Sequence, residues 1–157
     1  MKSFVSFALA CVLAYGGTCA AQSVDLRVRT VTDDVFEVVG TDGYLMTRTC
    51  DVRVDAPIGA SVLENGRDIR FESGQTCRLT KRLKKFTPSV GRHPSKITQN
   101  YDGVYTFWKL KLYAISLTQS LLTMGADGAL VVHADGKLEI DFDGVIVPAS
   151  LVLKEVP

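Results

Sequence analysis

The chain has 157 residues, 46% of them apolar, and nearly balanced charge, 18 Lys and Arg against 17 Asp and Glu. A length of this order suits one hydrophobic core and not several. The lack of a basic excess removes the usual electrostatic ground for a nucleic-acid partner, and none is expected.

In chain order the first element is a leader. Lys2 precedes an apolar run from Phe4 to Tyr15, broken only by Ser6, and then come Gly16, Gly17 and Cys19-Ala20-Ala21. A basic start, a short apolar stretch and small terminal residues make the pattern of a secretory signal peptide over residues 1–21. The run is shorter than the ~20 residues that cross a bilayer, so no transmembrane segment is expected in the mature chain. Cleavage between Ala21 and Gln22 leaves a mature chain of zero net charge, exported to the periplasm or the exterior. Acylation at Cys19 would tether it to a membrane instead, but Gly16-Gly17-Thr18 lacks the leucine-type residue that opens a lipobox.

Processing leaves Cys50 and Cys77 as the only cysteines. Two cysteines in an exported chain most simply form one disulfide. A zinc site takes about four ligands, and His93 and His133 are the only histidines, so no metal or other cofactor is expected. The ring closed by Cys50–Cys77 corresponds to about 3.5 kcal/mol in the chain-entropy model.

Residues 22–157 read as a single all-β domain, an antiparallel sandwich or barrel-like sheet. Asp42-Gly43, Asp102-Gly103, Asp127-Gly128, Asp135-Gly136, Asp143-Gly144 and Asn65-Gly66 are all candidates for tight hairpin turns, where positive φ is needed. Runs rich in Val, Ile, Leu, Tyr and Thr between them predict strands. In the first half these are Val24–Val31, Val35–Gly40, Tyr44–Val54, Ala60–Leu63, Asp68–Glu72 and Cys77–Leu83. Alternation places Cys77, Leu79 and Leu83 on one side of the last run, opposite Arg78, Thr80 and Arg82. From Phe86 to Asp102 the pattern breaks at Pro88, Gly91 and Pro94, which predicts a long loop joining two β halves, 22–85 and 103–157. Val104–Leu117, Ala129–His133, Lys137–Phe142 and Val145–Leu153 follow as strands, with Ser116–Met124 open to strand or helix. No internal repeat is evident.

The segments Thr47-Arg48-Thr49-Cys50, Ala60-Ser61-Val62-Leu63 and Ile69-Arg70-Phe71-Glu72-Ser73-Gly74-Gln75-Thr76-Cys77 together resemble a recurring unit of small exported bacterial β-proteins of uncharacterised function. In that unit Thr-x-Thr-Cys ends one strand and Phe-x-Ser-Gly-Gln-Thr-Cys follows another. The resemblance spans residues 47–77 alone. It implies the Cys50–Cys77 bridge and a compact β unit, and carries no catalytic residue or ligand.

Charge is unevenly placed. Arg78 to Lys111 holds nine basic residues and one acidic, whereas Gln22–Cys77 and Leu112–Pro157 are both acidic. The nine are Arg78, Lys81, Arg82, Lys84, Lys85, Arg92, Lys96, Lys109 and Lys111. Such a block attracts anionic partners, or serves as a solvated strand end. If Val104–Tyr113 is one strand, Val104, Trp108, Leu110 and Leu112 face one way. Tyr105, Phe107, Lys109, Lys111 and Tyr113 then face the other, a mixture of rings and ammonium groups suited to stacking and charge neutralisation. The alternative is a central strand covered on both faces.

No nucleophile elbow, zinc-helix motif or phosphate loop is present. Asp141-Phe142-Asp143-Gly144 lacks the remaining ligands of a calcium loop. The expected function is therefore binding without catalysis, through a surface of Lys81, Arg82, Lys84, Lys85, Tyr105, Phe107, Lys109, Lys111 and Tyr113. The expected partner is an anionic envelope component (lipid head group or glycan) or an acidic protein. An inhibitor using residues 86–102 as a plug is one version. An envelope hydrolase, marked by His93 or His133 meeting a carboxylate in a cleft, or a structural accessory of an envelope or secretion assembly, are the alternatives.

Overall fold

The computed structural model describes residues 24–100, 103–118, 125–142 and 144–156, so the leader lies outside them. These residues are all-β. The strands are β1 (Val24–Thr32), β2 (Val35–Val38), β3 (Gly43–Arg48), β4 (Ile58–Val62), β5 (Asp68–Phe71), β6 (Thr76–Lys85), β7 (Gly91–Asn100), β8 (Val104–Phe107), β9 (Leu112–Ile115), β10 (Ala126–Val132), β11 (Leu138–Phe142), β12 (Val145–Ala149) and β13 (Leu151–Glu155).

The first six strands close into an antiparallel barrel. Two three-stranded meanders, β1-β2-β3 and β4-β5-β6, are joined by β3 beside β6 and β4 beside β1. Closure removes the unpaired edges of the sheet. The barrel is filled by Val28, Phe36, Leu45, Ala60, Ile69, Phe71 and Leu79, packed against Cys50 and Cys77. Those cysteines form the expected disulfide, with Cα atoms 5.5 Å apart.

The second half repeats this connectivity. The meander β7-β8-β9 and the meander β10-β11-β12 meet through β10 beside β7, and β12 runs through Ser150 into β13, which lies beside β9. Register repeats as well as order. Val35 opposes Met46, Leu45 opposes Arg82 and Gly43 opposes Lys84, just as Val104 opposes Ile115, Ala114 opposes Val152 and Leu112 opposes Lys154. Tyr105, Phe107, Leu130, Ile140, Phe142 and Val147 fill this second ring. The repeat, which the sequence reading missed, lies in geometry and not in residue identity.

A third cluster joins the halves. Val35, Tyr44, Met46 and Leu83 on the outside of the barrel pack with Val104, Tyr113, Ile115 and Leu153 on the outside of the second ring. The seam itself is the β6–β13 ladder, in which Leu83 faces Glu155, Lys84 faces Lys154 and Lys85 faces Leu153.

Four expectations change. Gly91–Asn100, predicted as part of the loop 86–102, is the ten-residue strand β7, so no plug of that length exists and the linker shortens to residues 86–90. Its periodicity is hidden because only Ser95 and Ile97 are buried among its described side chains. Pro94 is tolerated because it shares an edge with Lys96, whose carbonyl accepts from Trp108 N–H, and β8 does not reach beyond Ile97 on that edge. Val104–Leu117 is two strands, with a turn over residues 108–111 in which Lys111 has φ 53°. Asp127-Gly128 lies inside β10 and makes no turn. Tyr44–Val54 stops as a strand at Arg48, where Thr49 adopts φ 52°. The possible helix at Ser116–Met124 falls mainly on residues 119–124, outside the described set.

Candidate binding site at the mouth of the first barrel

One extra residue on β6 shapes this site. Met46 opposes Lys81 and Thr47 opposes Leu79, so Thr80 has no partner of its own, and its hydroxyl donates to the Met46 carbonyl at 3.0 Å. A bulge of this kind shifts the alternation by one. Before it, Cys77 and Leu79 point into the barrel. After it, Leu83 joins the cluster between the halves, and Arg82, opposite the interior residue Leu45, takes the barrel side. The expected common face of Cys77, Leu79 and Leu83 is thus divided at Thr80.

β6 also changes partner along its length. Its first residues, Thr76–Arg78, pair with β5, while Leu83–Lys85 pair with β13. Where β6 leaves β5, the barrel opens into a cavity of about 460 Å³, lined by Leu26, Val38, Leu45, Val62 and Leu63, with exposed Glu64 and Arg82. The volume lies within the range of small-molecule sites, about 300–1,000 Å³.

Beside this mouth the cations gather. Lys84 is opposite Lys154 on one side and Gly43 on the other, and all of Arg82, Lys84, Lys85 and Lys154 are exposed. The Lys154 ammonium lies over the Phe86 ring at 5.3 Å. Among the described residues Arg82, Lys84 and Lys85 have no ion-pair partner. Like charges directly opposite one another in an antiparallel ladder are destabilising, so this arrangement is not explained by the sheet it sits in.

The rest of the expected surface is dispersed. Tyr105 and Phe107 are fully buried in the second ring and Tyr113 is buried between the halves, so the ring-and-ammonium face does not exist. β8 is instead covered on both faces, the alternative reading of this segment. Trp108, grouped with Val104 and Leu112 on one face, is 62% exposed on the turn at 108–111 with its indole N–H donating to Thr98. Lys109 and Lys111 stay exposed on that turn. Lys81 is 2.8 Å from Glu155, which also accepts from the Tyr113 hydroxyl at 3.2 Å. The Glu155 hydrogen bond raises the Lys81 pKa, and the Lys81 hydrogen bond lowers that of Glu155. Arg92 pairs with Asp141 and Lys96 with Asp127. The basic block is therefore partly neutralised by the acidic segment that follows it in sequence.

The histidines lie elsewhere. His93 Nε2 is 2.8 Å from the Ser89 carbonyl. His133 Nε2 is 2.7 Å from Glu139, which Lys137 also contacts, on the hairpin that joins β10 to β11. Sequence reasoning missed Lys154, and with it Leu26, Val38, Val62 and Gly43 at the mouth. Their pairing partners, and not their own types, make them part of one site. Comparison with protein-family models, curated proteins and solved structures found no match to this chain.

Proposed function

We propose that this is an exported binding protein that captures an anionic component of the cell envelope on the ledge formed by Arg82, Lys84 and Lys154. The observation that carries this reading is the direct opposition of Lys84 and Lys154 with Arg82 two residues along the same face. Repulsion between two ammonium groups in a ladder is relieved when an anion bridges them, so the ledge is complementary to a phosphate or carboxylate. Ion pairing removes Lys81, Arg92 and Lys96 from the block, which narrows the surface to the strand ends at the seam.

The test is binding to vesicles containing phosphatidylglycerol, measured by co-sedimentation across a salt series. Binding weakens steeply with salt, because the Debye length falls from about 30 Å at 0.01 M to about 8 Å at 0.15 M. The triple variant R82Q/K84Q/K154Q loses most of it while melting no lower than wild type, since exposed charges contribute little to stability and the Lys84–Lys154 repulsion is removed. Binding that ignores salt, or that survives in the triple variant, refutes the proposal.

A further inference from the structure

The molecule contains its own control for the open mouth. Because the two halves share strand order and register, each residue at the mouth has a counterpart in the second ring. Gly43 and Leu112 oppose the equivalent lysines Lys84 and Lys154. Val38 opposes Val28 as Phe107 opposes Ile97. Arg82 opposes Leu45 as Val152 opposes Ala114. In the second ring Phe107, Leu112 and Val152 are buried members of its core. In the first barrel the same places hold a smaller aliphatic residue, no side chain and a guanidinium, and the interior stays open. An added Cβ at Gly43 meets Thr41 Oγ1 at 3.1 Å, so that hydroxyl must give by a few tenths of an ångström, and the next neighbours, Val38 Cβ and Cγ2, lie at 3.9 Å. Gly43 does not have a positive φ, so only that hydroxyl opposes a side chain.

We infer that the mouth of the first barrel is a ligand pocket for a single-chain anionic amphiphile, its apolar tail between Leu26, Val38, Leu45, Val62 and Leu63 and its acid head on Arg82. A permanently open apolar cavity exposes surface that the other ring covers, and three divergent residues act together to keep it open. Charge complementarity selects the head. Arg82 is delivered to the barrel side by the Thr80 bulge, without an ion-pair partner among the described residues, and Lys84 lies two residues beyond it. Glu64 across the rim disfavours an anion there, so the head binds on the β6 side. The pocket goes beyond capture by the ledge, and the two share Arg82 with Lys84 beside it.

The experiment compares dodecanoate with dodecanol by isothermal titration calorimetry. Wild-type protein binds both, the acid more tightly. R82Q loses the preference for the acid, about tenfold or more, as expected for a hydrogen bond to a charged group. G43L and V38F each place the second ring's residue type in the mouth, and both lose dodecanoate and dodecanol binding by at least tenfold; V38F does so while melting no lower than wild type, whereas G43L must displace the Thr41 hydroxyl. Because Gly43 and Val38 carry no charge, both plugged variants keep any salt-sensitive vesicle binding. Undiminished dodecanoate binding in G43L and V38F, or no amphiphile binding by the wild type, overturns the inference and leaves the cationic ledge untouched. If vesicle binding proves insensitive to salt while the wild type takes up dodecanoate and the plugged variants do not, the ledge fails and the pocket stands.

Discussion

Replacing Lys84 by Glu should make the protein more stable and less able to bind. Lys84 is exposed and opposite Lys154 in the seam ladder, with Gly43 on its other side offering no side chain to screen it. A like-charged opposed pair costs roughly 0.2–1 kcal/mol and an opposite pair returns a similar amount. The swing in K84E is therefore about 1 kcal/mol, or ~3 °C in melting temperature for a domain of this size. K84Q removes the repulsion without adding attraction and should fall midway. Thermal unfolding followed by circular dichroism at low and high salt is the assay, because the gain must shrink as screening increases. Vesicle binding should fall in the same variant. A melting temperature at or below wild type at low salt refutes the argument, as does a gain that persists in high salt. Keeping an unfavourable pair at the proposed binding surface would trade stability for function.

Removing the bridge as C50A/C77A should cost about 3.5 kcal/mol from released chain entropy, read as a shift in urea midpoint; a loss under about 1 kcal/mol would mean that the barrel's own packing holds residues 50 and 77 together. Tyr105 has a buried hydroxyl with no hydrogen-bond partner among the described residues. Y105F should therefore leave stability unchanged or raise it by up to about 1 kcal/mol, whereas Y105A should cost about 3–5 kcal/mol; a clear loss in Y105F would show that an ordered water satisfies the hydroxyl. The Glu155 pKa is lowered by its hydrogen bond to Lys81. Its contribution to stability is thus present above the ordinary carboxylate range and disappears as pH falls through the depressed value. The raised Lys81 pKa makes the same contact fade as pH rises above about 10.5. E155Q should flatten the acid limb of the stability profile, and an unchanged limb would assign that loss to other carboxylates.

Strand composition and glycine turns were legible from the chain. Gly66, Gly136 and Gly144 all take positive φ at hairpin turns, as Asn-Gly and Asp-Gly pairs predict. Gly103 does so under a further constraint: a Cβ there would lie 2.1 Å from the Ser116 carbonyl oxygen. The cysteine pair was legible because the expected removal of the leader would leave no other pairing. What local pattern cannot show is a change of parity within a strand or of partner along it. The Thr80 bulge moved Leu83 and Arg82 to opposite faces from those expected, Tyr105 and Phe107 are buried because β8 is covered on both faces, and the turn at 108–111 leaves Trp108 outside. β7 escaped notice because Pro94 and Gly91 read as breakers, while its pairing with β10 depends on a strand far along the chain. The repeated register of the halves survives with few identical side chains, which is why residue-by-residue inspection finds no repeat.

The seam ladder has a symmetry of its own. Exchanging each residue of β6 with its counterpart in β13 turns the pair Leu83–Glu155 into Leu153–Lys85, and leaves Lys84–Lys154 on itself. A local two-fold axis therefore passes between those two lysines, and the cluster behind it is composed of matched residues, Val35 with Val104, Tyr44 with Tyr113, Met46 with Ile115 and Leu83 with Leu153. Such an isologous contact is the kind that joins identical subunits. Within this one chain the halves stand to each other as protomers of a dimer, with the short linker at 86–90 in place of a second start. A fragment of residues 24–86 carries one complete side of that interface. It should self-associate through the edge of β6, in a dimer detectable by sedimentation velocity and abolished by L83E; a strictly monomeric folded fragment would show that the halves recognise each other and not themselves.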